Sequence, residues 1–140
     1  MKKFLKVLSI VLLLTLMVGC SCSKKGTTKR DYEKETKEVE KLFNTDDSKL
    51  VYNNNNLYKR VFYYKDDKIT GMEDYYEFSD GPTADTKATE LAEKFKANKT
   101  FKVTSKGKYV IYTYVEDQFK GKTVKDIKDS YSYLVPVYAK

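Results

Sequence analysis

The clearest alternation of apolar and polar positions lies in LYKRVFYYKDDKITGMEDYYEFSD, residues 57–80, where aromatic and β-branched side chains flank Asp66-Asp67. Such residues suit a pleated, half-buried surface, and a polar pair between two such runs reads as a hairpin turn. A two-residue turn at Asp66-Asp67 sets Tyr64 opposite Ile69, Val61 opposite Met72, Tyr58 opposite Tyr75 and Leu57 opposite Tyr76. It also sets Lys59 against Asp74 and Arg60 against Glu73, so opposite charges meet across the strands. Gly81-Pro82 ends this run. The period then lengthens to that of a helix. Ala84, Ala88, Leu91, Ala92 and Phe95 form an apolar stripe, Thr83 or Asp85 supplies the N-cap, and Asn98 the stop. FKVTSKGKYVIYTYVE, residues 101–116, predicts a second hairpin. A turn at Lys106-Gly107 pairs Phe101 with Tyr112, Val103 with Val110 and Thr104 with Tyr109. Thr123 then caps a short helix with Val124, Ile127, Tyr131 and Leu134 on one side.

Ahead of these elements, DYEKETKEVEKLF places Tyr32, Thr36, Val39 and Phe43 at roughly helical spacing, residues 49–52 read as a short strand, and the asparagine run 53–56 as a loop. The expected fold class is α+β: two antiparallel β-hairpins forming one sheet, in the order β-β-α-β-β-α, after an N-terminal tether. In this register Tyr58, Phe62, Tyr64, Tyr75, Tyr109 and Ile111 share one sheet face. Leu57, Val61, Met72, Tyr76, Phe101, Val103, Val110 and Tyr112 share the other, which meets the first of the two helices. A helix about 10 Å wide spans about two strands spaced about 4.8 Å apart. The C-terminal helix is therefore expected to leave at least one of Tyr58, Tyr64, Tyr75 and Tyr109 exposed beside it.

The N-terminus has a different pattern. Lys2, Lys3 and Lys6 precede VLSIVLLLTLMV, residues 7–18, an uncharged run that is short of the about 20 residues a spanning helix needs. This is the layout of a signal peptide. Met17-Val18-Gly19-Cys20 resembles the lipobox of bacterial lipoproteins, with Met17 where that family most often has Leu. The resemblance implies a diacylglyceryl group on the Cys20 sulfur and cleavage before it. It divides the chain into a signal peptide at 1–19, a lipidated tether with an N-terminal helix at 20–48, and a single α+β domain at 49–140. Two acyl chains provide the two signals that stable anchoring takes; Lys24, Lys25, Lys29 and Arg30 add attraction to anionic headgroups. A disulfide between Cys20 and Cys22 would close a cramped ring, which leaves Cys22 a lone thiol or a second acylation site.

Removing residues 1–19 takes away Lys2, Lys3 and Lys6 and no acid, so the full-chain charge of +7 falls to about +4. Basic and acidic residues alternate instead of clustering on one face, which with export argues against nucleic acid as partner. Frequent Lys, Asn and Tyr, encoded by AT-rich codons, favour a Gram-positive envelope, with the chain at the extracytoplasmic face of the cell membrane. The lipobox, YYKDDKITG and the ADTKATELAEKFK helix together resemble the YehR-like lipoproteins over about residues 57–132. That resemblance implies an α+β fold and an envelope location, and it supplies no activity and no catalytic residues.

The chain contains no His, which excludes a Ser–His or Cys–His mechanism and, with only two Cys, leaves no zinc ligand set. Three carboxylate pairs, Asp66/Asp67, Glu73/Asp74 and Glu116/Asp117, read as a turn, a pair facing Lys59 and Arg60, and a strand end. Asp46-Asp47-Ser48 falls short of a calcium loop. The expectation is therefore a non-enzymatic binding protein without cofactor or metal. It is held to the membrane by lipid and partnered by an envelope protein, peptide or glycan. The candidate binding face is Tyr58, Phe62, Tyr64, Tyr75, Tyr109 and Ile111, because Tyr offers contact area with a polar tip. The alternative is a surface-presented inhibitor of an envelope-directed enzyme.

Overall fold

The computed structural model describes residues 29–133; the expected signal peptide, Cys20, Cys22 and Leu134 lie outside them. In chain order the elements are α1 (Tyr32–Leu42), β1 (Lys49–Asn54), β2 (Tyr58–Lys65), β3 (Lys68–Glu77), α2 (Gly81–Lys94), β4 (Phe101–Lys106), β5 (Tyr109–Tyr114), a 3₁₀ turn (Glu116–Gln118) and α3 (Val124–Ser130). The strands form one antiparallel sheet in the order β1-β2-β3-β5-β4. The protein is thus α+β, with a helix and a strand ahead of the first expected hairpin. α1 packs into the core through Val39 and Phe43, so the compact unit that holds the sheet includes the chain from Asp31.

The first hairpin turns at Asp66-Asp67, both at positive φ, the backbone of a type I′ turn. Tyr64 pairs with Ile69 as expected, but a bulge follows: Tyr63 pairs with Gly71, leaving Thr70 extra. Beyond it every pairing slips by one. Phe62 faces Met72, Val61 faces Glu73, Arg60 faces Asp74 and Lys59 faces Tyr75, which corrects the uninterrupted ladder expected from the sequence. A bulge adds one residue to one strand, and a one-residue slip moves a strand's side chains to the opposite face.

The second hairpin turns at Gly107-Lys108 instead of Lys106-Gly107. Gly107 has φ +56 and Lys108 is not at positive φ, which is the type II′ arrangement with Gly first. Phe101 therefore faces Tyr114, Val103 faces Tyr112 and Thr104 faces Ile111. This shift of two residues leaves each side chain on its expected face.

These registers set the layers. On one face α1 covers Val51, Val61, Tyr75, Tyr109 and Ile111, with Phe43 edge-on to Tyr75 and Tyr109 at 5.3 and 5.4 Å between centroids. On the other, Ala84 and Ala88 of α2 pack on Val110 beside Tyr76, Val103 and Tyr112. Ile127 of α3 packs there too, with Leu50, Tyr52, Phe62, Ile69, Met72 and Phe119. So α2 and α3 share a face, and the layer expected from α3 is made by α1. The helix starts are built as the physics of orphan N–H groups requires. Asp31 accepts from Lys34 N at 2.9 Å. Asp80, and not Thr83 or Asp85, caps α2 by accepting from Thr83 N at 2.7 Å. Thr123 and Asp126 form a capping box on α3.

Candidate functional site

The six residues expected on one face are divided by the bulge. Phe62 and Tyr64 pack with α3, and Tyr58 lies on that face beside Tyr76, ring centroids 5.0 Å apart. Tyr75, Tyr109 and Ile111 lie under α1. Tyr75 and Tyr109 are 3 % and 4 % exposed, while Tyr58 and Tyr64 are half-buried. None of the four rings stands out in water beside α3.

On the α2/α3 face a different constellation appears. Arg60 meets Asp74 through two parallel bonds, Nε to Oδ1 and Nη2 to Oδ2, each 2.7 Å. Arg60 Nη1 also donates to Tyr131 Oη at 2.6 Å, and Tyr114 Oη donates to Asp74 Oδ2 at 2.8 Å. Burial opposes the guanidinium charge, but the bonds and charge of Asp74 outweigh it and hold Arg60 above its ordinary value. The half-buried rings of Tyr58, Tyr76, Tyr112, Phe101 and Phe95 run from this pair toward the end of α2, with successive centroids 5.0, 5.3, 5.1 and 5.5 Å apart.

Burial raises the Tyr75, Tyr109 and Tyr114 phenols well above their usual range and pushes Tyr76 up to about 12. A phenol whose folded pKa is raised favours folding while it stays protonated. That contribution is complete below the unfolded value near 10 and is lost as pH rises through 10 to 12. The melting temperature should therefore fall steeply above pH 10, and tyrosinate absorbance should appear together with unfolding. Ionisation of every tyrosine near pH 10 in a chain that stays folded would contradict this packing.

The acidic pairs are separated. Asp66 and Asp67 form the exposed hairpin turn. Glu73 and Asp74 are neighbours on β3 and point to opposite faces: Glu73 Oε2 accepts from Tyr75 Oη at 3.2 Å, whereas Asp74 holds Arg60. Glu116 and Asp117 open the 3₁₀ turn, exposed. Asp46 is occupied by Lys49 and Ser48, which hold its carboxyl down at about 2; the Lys49 ammonium takes the place a cation would need.

The two sheet edges differ. Tyr64 N donates to Ser48 O at 2.9 Å, and alternation in an antiparallel ladder then turns the backbone of Lys49, Val51 and Asn53 outward from β1. The preceding loop covers part of that edge. Asp46 and Lys49 exchange backbone bonds of 3.3 and 3.4 Å, and Thr45 Oγ1 accepts from Val51 N at 3.3 Å. On β4, Val115 N donates to Thr100 O at 3.0 Å. The same alternation ties Lys102, Thr104 and Lys106 to β5 and turns the N–H and C=O of Phe101 and Val103 outward. Among the described residues no strand lies beyond β4.

Beside this edge, between β4 and the second half of α2, run two adjoining depressions of about 510 and 520 Å³ that share Ala92, Val103 and Thr104. Phe95 and Phe101 line one, Ala88 and Glu93 the other. Lys96, Lys99 and Lys102 rim the aromatic end. Lys96 pairs with Glu93 at an exposed site, whereas Lys99 and Lys102 form no ion pair among the described residues. The sequence carried the ingredients in Phe95, Phe101 and the lysines. The edge itself follows from sheet order, which hairpin-by-hairpin reading does not supply. Compared with protein-family models, curated proteins and solved structures, the chain matches none.

Proposed function

We propose that this protein is a lipid-anchored envelope protein whose folded domain binds another molecule without catalysing a reaction. The observation that carries the binding reading is the β4 edge, with outward main-chain groups beside a groove floored by Phe95, Phe101 and Val103. Edge strands are commonly blunted or covered, as β1 is in part by its own loop; an edge with no strand beyond it among the described residues, beside an apolar groove, has the form of a recognition surface. The anchor rests on the lipobox resemblance at Cys20 and the apolar run before it. Among the described residues no helix is long and apolar enough to cross a membrane, which is compatible with attachment through lipid.

Both parts are testable in cells. Intact-mass measurement of the mature protein should find a diacylglyceryl group on Cys20, and Cys20→Ser should leave the precursor uncleaved or release the protein from the membrane. A photo-crosslinking amino acid at position 101 should capture a discrete envelope component. The same group at position 37, on the exposed side of α1, should not. A mature N-terminus elsewhere without lipid mass would refute the anchor. Equal capture at both positions, or none at 101, would refute the binding surface.

A further inference from the structure

We propose that β4 takes up an extended acidic segment of a partner protein as a sixth strand, with its apolar side chains in the groove beside α2. This rests on the binding reading above and names the chemistry of the partner. Strand addition draws affinity from main-chain hydrogen bonds and specificity from pockets for alternate side chains. Phe101 and Val103 supply the outward donors and acceptors. A strand laid beside them turns every second side chain to the α2 side, onto Ala92, Phe95, Phe101 and Val103. The intervening side chains turn to the opposite side, where Lys102 and Thr104 are exposed. Lys99 stands at the same end of the groove. Carboxylates at the intervening positions therefore complement the unpaired Lys102, and the unpaired Lys99 at the rim of the groove adds attraction for an acidic segment, while the apolar positions fill the groove. A second copy fits less well, because pairing two β4 strands brings Lys102 edges together, and lysine on an edge strand acts against such pairing.

The probe is an eight-residue peptide alternating Glu with Val or Leu, its termini blocked, with a Lys-for-Glu version as control. It is offered to the processed full chain in detergent. The acidic peptide should bind at least about ten-fold more tightly than the basic one, and should slow amide exchange at Phe101 and Val103. Lys99→Glu with Lys102→Glu should reverse the preference. Val103→Pro removes an outward N–H without touching the β5 ladder, a place where an edge strand tolerates proline, and should weaken binding about ten-fold. Should that variant fail to fold, the charge reversal carries the test by itself. Binding without slowed exchange at Phe101 and Val103, as a glycan or a small anion in the groove would give, overturns the proposal. So does failure of both peptides, or concentration-dependent dimerisation that protects β4. If position 101 still captures a partner while those amides stay fast, strand addition fails and the binding reading stands. If capture fails as well, both fall.

Discussion

Asp74→Ala should destabilise the domain by about 3–5 kcal/mol, the range for removing one partner of a buried ion pair. The Asp74 side chain is 2 % exposed and Arg60 19 %, so the charge left behind has little water to turn to. Tyr114 Oη would lose its acceptor in the same step. A domain of this size has about 5–15 kcal/mol in total, and the loss should appear as a large fall in the urea midpoint. Asp74→Asn keeps the shape and one acceptor but not the charge, and should fall between wild type and Asp74→Ala. Arg60→Met with Asp74→Leu should recover most of the loss, because replacing both charges by apolar groups removes the stranded cation. A change below about 1 kcal/mol, the scale of an exposed pair, would mean that the pair stands in water.

Gly107→Ala is the second large effect. Gly107 has φ +56, and a Cβ there would overlap the backbone nitrogen of Thr36 in α1. The turn is already fastened to that helix: Gly107 N donates to Glu35 Oε2 at 2.8 Å and Lys108 N to Thr36 Oγ1 at 3.0 Å. A left-handed backbone costs a non-glycine residue about 1–2 kcal/mol, and overpacking adds about 1–3 kcal/mol. Gly121→Ala is the control, since Gly121 has φ +75 and nothing within 4 Å of an added Cβ. It should show the backbone cost alone. Equal losses at the two sites, measured by denaturant unfolding, would mean that α1 does not press on this turn.

Local features were legible where chemistry within a few residues decides them. The Asp66-Asp67 turn, the α2 stripe of Ala84 and Ala88, and the Thr123 cap all follow from short-range pattern. The bulge at Thr70 does not. Gly71 permits it, and an added Cβ there would sit 3.2 Å from the Tyr63 ring, but a glycine in a strand pattern reads equally as a close approach. That one extra residue moved Tyr58, Phe62 and Tyr64 away from Tyr75, Tyr109 and Ile111, and with them the expected binding face. It also turned an expected contact between Arg60 and Glu73 into a largely buried pair between Arg60 and Asp74. The role of α1 was obscured by its charges, because Val39 and Phe43, with half-buried Leu42 beside them, carry its packing into the core. The open edge of β4 is a property of the order β1-β2-β3-β5-β4, set by long-range pairing that the sequence of each hairpin does not encode.

Site-resolved amide hydrogen exchange of the free protein tests the central claim, an uncovered β4 edge, most directly. Lys102, Thr104 and Lys106, bonded to β5, should exchange slowly, while Phe101 and Val103 between them exchange close to the rate of an unprotected amide. Uniform slow exchange along β4, with Phe101 and Val103 as protected as Thr104, would contradict it.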